Sequence, residues 1–124
     1  MASPGSVIGW LLAEDDREKL LQQVPPKFEK TIAHHVTLKT KAEMDPLPPE
    51  VEAQVVGRTD DGSGVEAMVV AIDGTTDRPD GSTYHITWSL ADGRRARESN
   101  DVIKERGWQE LAHPIPVKLE PGRF

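Results

Sequence analysis

The sequence predicts an α+β fold in a single domain, 1–124, with antiparallel strands in one sheet and two short helices packed on one side of it. Three observations lead there. The chain of 124 residues is long enough for one core and too short for two comfortable ones. β-Branched runs recur between Gly- and Pro-rich turns, as strands joined by tight connections do. Only two segments carry helix signals.

In chain order the elements read β-α-β-β-β-β-α-β. Ser6 to Ala13 is a short apolar run with strand character. Glu14, Asp15 and Asp16 then supply acids and a capping candidate ahead of a helix striped by Leu20, Leu21 and Val24, which Pro25-Pro26 must end. Thr31 to Thr40 reads as a strand, and the prolines of the following KAEMDPLPPE forbid regular structure. The runs 51–59 and 64–73 flank a DDGSG turn and read as a hairpin. A loop over 73–81 leads to a strand from Thr83 to Leu90, and Asp92-Gly93 marks the next turn. A second helix follows, with Ser99 or Asn100 as its cap and Gly107 at its end. Ile115 to Leu119 makes the last strand.

Composition removes several classes of function. With no cysteine there is no disulfide framework, thiolate metal site or cysteine nucleophile. The apolar run near the start is brief, lacks a preceding basic residue and is followed by acids, unlike a secretory signal or a membrane span, so a soluble cytoplasmic protein without membrane partners is expected. A net charge of −6 opposes binding to long duplex nucleic acid, whose affinity comes from neutralising many phosphates. Acids crowd 43–80, whereas Lys27, Lys30, Lys39, Lys41, Arg94, Arg95 and Arg97 flank the two histidine-bearing strands. Such a distribution can hold a small anion while repelling a long polyanion.

Those two strands share a pattern. Alternation puts Tyr84, Ile86, Trp88 and Leu90 on one face and His85, Thr87 and Ser89 on the other. In the first strand it groups Ile32, His34, Val36 and Leu38 against Ala33, His35, Thr37 and Lys39. By parity His35 matches His85, and His34 falls with the core-facing set and is expected to be a packed or hydrogen-bonded structural histidine. A histidine two before a threonine is commonly just a solvated strand face. The repeat, in matching parity, is what points to chemistry. Two imidazoles near neutrality can serve as base and acid for a phosphodiester displacement, and adjacent threonine hydroxyls can bond the non-bridging oxygens.

On the motifs His35-Val36-Thr37-Leu38 and His85-Ile86-Thr87-Trp88, the chain resembles the two-histidine phosphoesterase superfamily. The stretch from GWLLAEDDREKLLQQVPP through AHHVTL to HITWSLADGRRARESNDV is similar to a small branch of it, the cyclic phosphodiesterase domains found with RNA-repair enzymes. The resemblance implies a two-lobed sheet with the motif strands facing a central cleft. It also implies a hydrolase, needing neither metal nor cofactor, acting on 2′,3′-cyclic phosphates, 2′-5′ linkages or cyclic nucleotides. His35 and His85 are then the catalytic residues, Thr37, Thr87 and Ser89 bind substrate with Arg94 and Arg95, and the partner is a nucleotide or RNA end.

Other readings are weaker. Adjacent strand histidines point to opposite faces, so His34 and His35 are not expected to share a metal ion, and His113 lies far off in sequence. No Gly-x-Ser-x-Gly elbow and no phosphate loop ending in Gly-Lys-Ser/Thr is present. The alternative function is a non-catalytic module that binds a nucleotide or RNA end on the same fold. A partner-binding domain using Trp10, Trp108 or Phe124 is a further one, although the tryptophans suit a core or lid better.

Overall fold

The structure is a computed structural model that describes residues 5–124; the first four residues of the amino-terminal stretch read above lie outside the described residues. The strands are Ile8–Leu12 (β1), Lys30–Thr31 (β2), His35–Lys39 (β3), Ala53–Asp60 (β4), Val65–Ile72 (β5), His85–Leu90 (β6), Gln109–Val117 (β7) and Leu119–Arg123 (β8). The helices are Glu14–Gln23 (α1) and Glu98–Arg106 (α2). One curled antiparallel sheet forms a half-barrel in the order β7-β4-β5-β6-β3-β1-β8, with β2 attached to β6. This is the α+β class expected, with two helices on an antiparallel sheet.

Each half of the sheet is closely laddered, β7-β4-β5-β6 on one side and β3-β1-β8 on the other. Between the halves the ladder is the single pair Val36 and Ile86, both wholly buried. The two motif strands are therefore neighbours in one sheet. Behind this joint, Gly9 of β1 lies opposite Thr37, where a side-chain Cβ would stand 2.1 Å from the Val36 carbonyl oxygen. Only a glycine lets β1 approach β3 so closely.

The helices pack on opposite faces rather than on one. β5 is an almost unbroken apolar run, buried along its whole length, and needs cover on both sides. On one face Leu20 of α1 joins Val36, Met68, Ile86 and Trp88 in the main core. On the other, Ile103 of α2 rests on Ala67 and Val69. The end of α1 is tied to β6, because the Trp88 indole N–H donates to the Val24 carbonyl at 2.9 Å.

Several local expectations are corrected. The acids of α1 lie inside its first turn, where they favour the helix dipole, and Ala13 precedes them without a side-chain cap. In α2, Ser99 is a buried helical residue and Asn100 follows it, so neither is the cap, whereas Gly107 ends the helix at φ +68° as expected. One terminal strand becomes two, β7 and β8.

The expected strand 31–40 is also two pieces. Thr31 pairs with Ser89 and Val36 with Ile86, so five steps along one chain match three along the other, leaving a two-residue bulge. At its centre Ala33 has φ +44°, a left-handed conformation that a residue with a Cβ adopts at a cost of about 1–2 kcal/mol. Arg17 of α1 pins the bulge, with Nε donating to the Ala33 carbonyl at 2.9 Å and Nη2 to that of Ile32 at 3.4 Å. The bulge breaks the alternation. Ala33 takes the core position, and His34, expected there, is exposed.

Candidate active site

The face of β3 and β6 turned toward α2 opens as a cleft of about 540 Å³. His35, Thr37, His85 and Thr87 all line it. The strands are antiparallel about the Val36–Ile86 pair, so the His35 end of one motif lies beside the Thr87 end of the other. The four side chains thus form a pseudo-symmetric set of two histidines and two hydroxyls around one space.

His85 is buried, and its Nδ1 lies 2.9 Å from the Thr83 carbonyl oxygen. A carbonyl only accepts, so Nδ1 carries the proton and the neutral ring presents the Nε2 lone pair. Burial lowers its pKa, the bond to Thr83 opposes this and the Arg78 charge adds to the lowering. The result is an unprotonated base at neutral pH.

His35 is half-buried, and burial pushes its pKa down to about 4, helped by the neighbouring imidazoles of His34 and His85. Its Nδ1 sits 3.0 Å from Nδ1 of His34, which leaves Nε2 as the free ring nitrogen. Phe124, just after β8, packs on the ring, with centroids 4.5 Å apart. The expectation that the adjacent histidines point to opposite faces does not hold: the bulge at Ala33 turns them together.

The hydroxyls differ. Thr87 Oγ1 donates to the Ala96 carbonyl at 3.2 Å and lies 2.9 Å from Ser99 Oγ, so α2 orients it. Thr37 is half-buried on the neighbouring strand, and its carbonyl accepts from Nη1 of Arg78 at 3.4 Å. Asp80 grips the Arg78 guanidinium through both carboxylate oxygens, at 3.0 and 2.7 Å. That guanidinium holds the Asp80 carboxyl well below the usual carboxylate range.

Three expected substrate-binding residues fall elsewhere. Ser89 has no exposed surface, because its Oγ donates to Glu66 Oε1 at 2.7 Å and accepts from the Phe28 N–H at 3.1 Å. Parity put Ser89 on the correct face, but the segment joining α1 to β2 covers that end of β6. Arg94 turns away to Asp61 and Glu98, at 2.7 and 3.1 Å. Arg95 is exposed outside the cleft, and its backbone N–H bonds Glu98.

The cleft's cations are instead Arg78 and Arg97. Arg97 stood among the basic residues flanking the motifs. Arg78 gave no signal in an acidic stretch, beyond lying in the loop that enters β6. Val7, Ile32 and Phe124 supply an apolar wall that sequence reasoning missed, because the bulge and the carboxyl-terminal strand place them there. Trp10 is a core residue donating to the Pro49 carbonyl, and Trp108 packs on Gly57.

Among the described residues, no three His, Asp or Glu side chains gather as a ligand set, and no helix is long and apolar enough to cross a membrane. Comparison with known protein families, curated proteins and solved structures finds no match to this chain.

Proposed function

We propose that the chain is a metal-independent phosphodiesterase that hydrolyses a nucleotide phosphodiester by two-histidine acid/base catalysis. The observation that carries this reading is the convergence of His35, Thr37, His85 and Thr87 in one cleft about the Val36–Ile86 pair. His85 Nε2 takes a proton from the attacking water, and His35 Nε2–H gives one to the leaving ribose oxygen. Burial holds both imidazoles neutral.

Thr37 and Thr87 bond the non-bridging oxygens. For Thr87 this exchanges a 3.2 Å bond to a carbonyl for a charge-assisted one to phosphate. Arg78 and Arg97, which both line the cleft, support the added charge. The apolar wall of Ile32, Val7 and Phe124 gives the nucleoside a surface to lie on, and an aromatic ring suits base stacking. A cleft of about 540 Å³ fits a mononucleotide or the end of a strand better than a duplex.

The test is incubation with 2′,3′-cyclic mononucleotides, 2′-5′ dinucleotides and cyclic oligonucleotides in EDTA, resolved by chromatography. Conversion to a monophosphate or to linear products supports the enzyme. Saturable binding without conversion supports a nucleotide-binding module instead.

A further inference from the structure

Resting on the acid/base reading above, we infer that His34 is a positioning residue that donates a hydrogen bond to His35 Nδ1 and so makes His35 present Nε2–H rather than a lone pair to the cleft. The observation is the 3.0 Å contact between the two Nδ1 atoms, made by an exposed ring and a half-buried one. A catalytic imidazole needs its second nitrogen held, commonly by a carboxylate or a carbonyl, because that bond selects the tautomer. His85 has the Thr83 carbonyl. His35 has another imidazole, and an imidazole can donate or accept.

The reaction sets the direction. The Thr83 carbonyl has already made His85 the lone-pair donor, so the proton must come from His35. As the Nε2 proton passes to the leaving oxygen, the His34 Nδ1 proton passes to His35 Nδ1 across their 3.0 Å contact, and the exposed His34 ring takes one from water at Nε2, so His35 does not become an imidazolate.

The fold invests in this contact. In a regular strand the two side chains would point to opposite faces. The left-handed Ala33, clamped by Arg17, brings them together, with ring centroids 5.2 Å apart. Phe124 packs against both rings, with centroids 4.5 Å from His35 and 6.1 Å from His34. Backbone strain held in place beside a site is a common mark of function.

The experiment compares wild type, His34→Ala and His34→Asn, since the Asn amide nitrogen stands where Nδ1 stood and keeps the donor. Long-range proton–nitrogen NMR of the imidazoles reads which nitrogen of His35 is protonated, independently of turnover. The expected result is Nε2–H in wild type and in His34→Asn, and a shift toward Nδ1–H in His34→Ala. On the best substrate, kcat should fall about 10- to 100-fold in His34→Ala with KM little changed, and His34→Asn should recover most of it. Nδ1–H on His35 in wild type, or an unchanged tautomer in His34→Ala, overturns the inference. If wild type converts no phosphodiester, the phosphodiesterase reading fails while the nitrogen spectrum still decides the role of His34.

Discussion

Val36 of β3 and Ile86 of β6 stand directly opposite each other, and theirs is the pair through which the two halves of the sheet are laddered together. Each is preceded by a histidine and followed by a threonine. Both are wholly buried on the core face, so the polar neighbours of each are turned to the other face, under the cleft. The arrangement makes the site a property of the joint between the halves.

The two threonines should separate by their effect on stability. Thr37→Val and Thr87→Val both remove a hydroxyl aimed at phosphate and should lower kcat by roughly 10²-fold with little change in KM. Thr87→Val also strips Ser99 Oγ of its partner in a buried setting, and should cost about 1–3 kcal/mol in denaturant unfolding, whereas Thr37→Val should be near neutral. Equal unfolding midpoints would contradict the bond to α2.

Arg78 and Arg94 should part in the opposite sense. Arg78 lines the cleft, so Arg78→Ala should raise KM roughly 10- to 100-fold, the worth of a charge-assisted hydrogen bond, with an effect that weakens as salt rises. Arg94 is committed to Asp61, Glu98 and Ser63, so Arg94→Ala should leave KM unchanged and lower the melting temperature. Steady-state kinetics at two ionic strengths, with thermal melts, checks both.

Ser89→Ala should act through the core alone. It leaves buried Glu66 Oε1 with only the Lys27 N–H, and the Phe28 N–H with no acceptor. The expected loss is about 1–3 kcal/mol by urea unfolding, with kcat and KM of the folded enzyme retained. A rise in KM without loss of stability would return Ser89 to the substrate.

Much of this was legible in the sequence. The polar face of β6, the pairing of His35 with His85 and the core positions of Tyr84, Ile86 and Trp88 all follow from period-two alternation over an uninterrupted strand. Alternation failed at 32–34, because nothing in IAHHV announces a bulge: the left-handed residue is Ala33, and no glycine or asparagine marks it. The same break hid the contact between His34 and His35 and the place of Ile32 in the cleft. The arginines were misassigned because proximity in sequence to β6 was taken for proximity in space, and carboxylates on the turn and on α2 draw Arg94 away.

Stability should depend on pH through His35. Its folded pKa, about 4, is below the ordinary 6.5, so between those values the unfolded chain binds a proton that the folded chain does not. The contribution is complete above pH 6.5, falls as pH drops through the window and is gone below 4. Unfolding free energies at pH 7.5 and 4.5 should therefore differ less in His35→Gln than in wild type. An identical difference would show that the ring is not desolvated.

The central claim is that His35 and His85 divide acid and base work in one cleft. Its most direct test is kcat/KM of wild type, His35→Ala and His85→Ala on the best phosphodiester in EDTA, with near-ultraviolet circular dichroism confirming the fold around Trp88. The account predicts a fall of about 10²–10⁴-fold for each single variant. Because the two residues act in one step, the double variant should be little worse than either single one. Near-wild-type turnover in either single variant would contradict it.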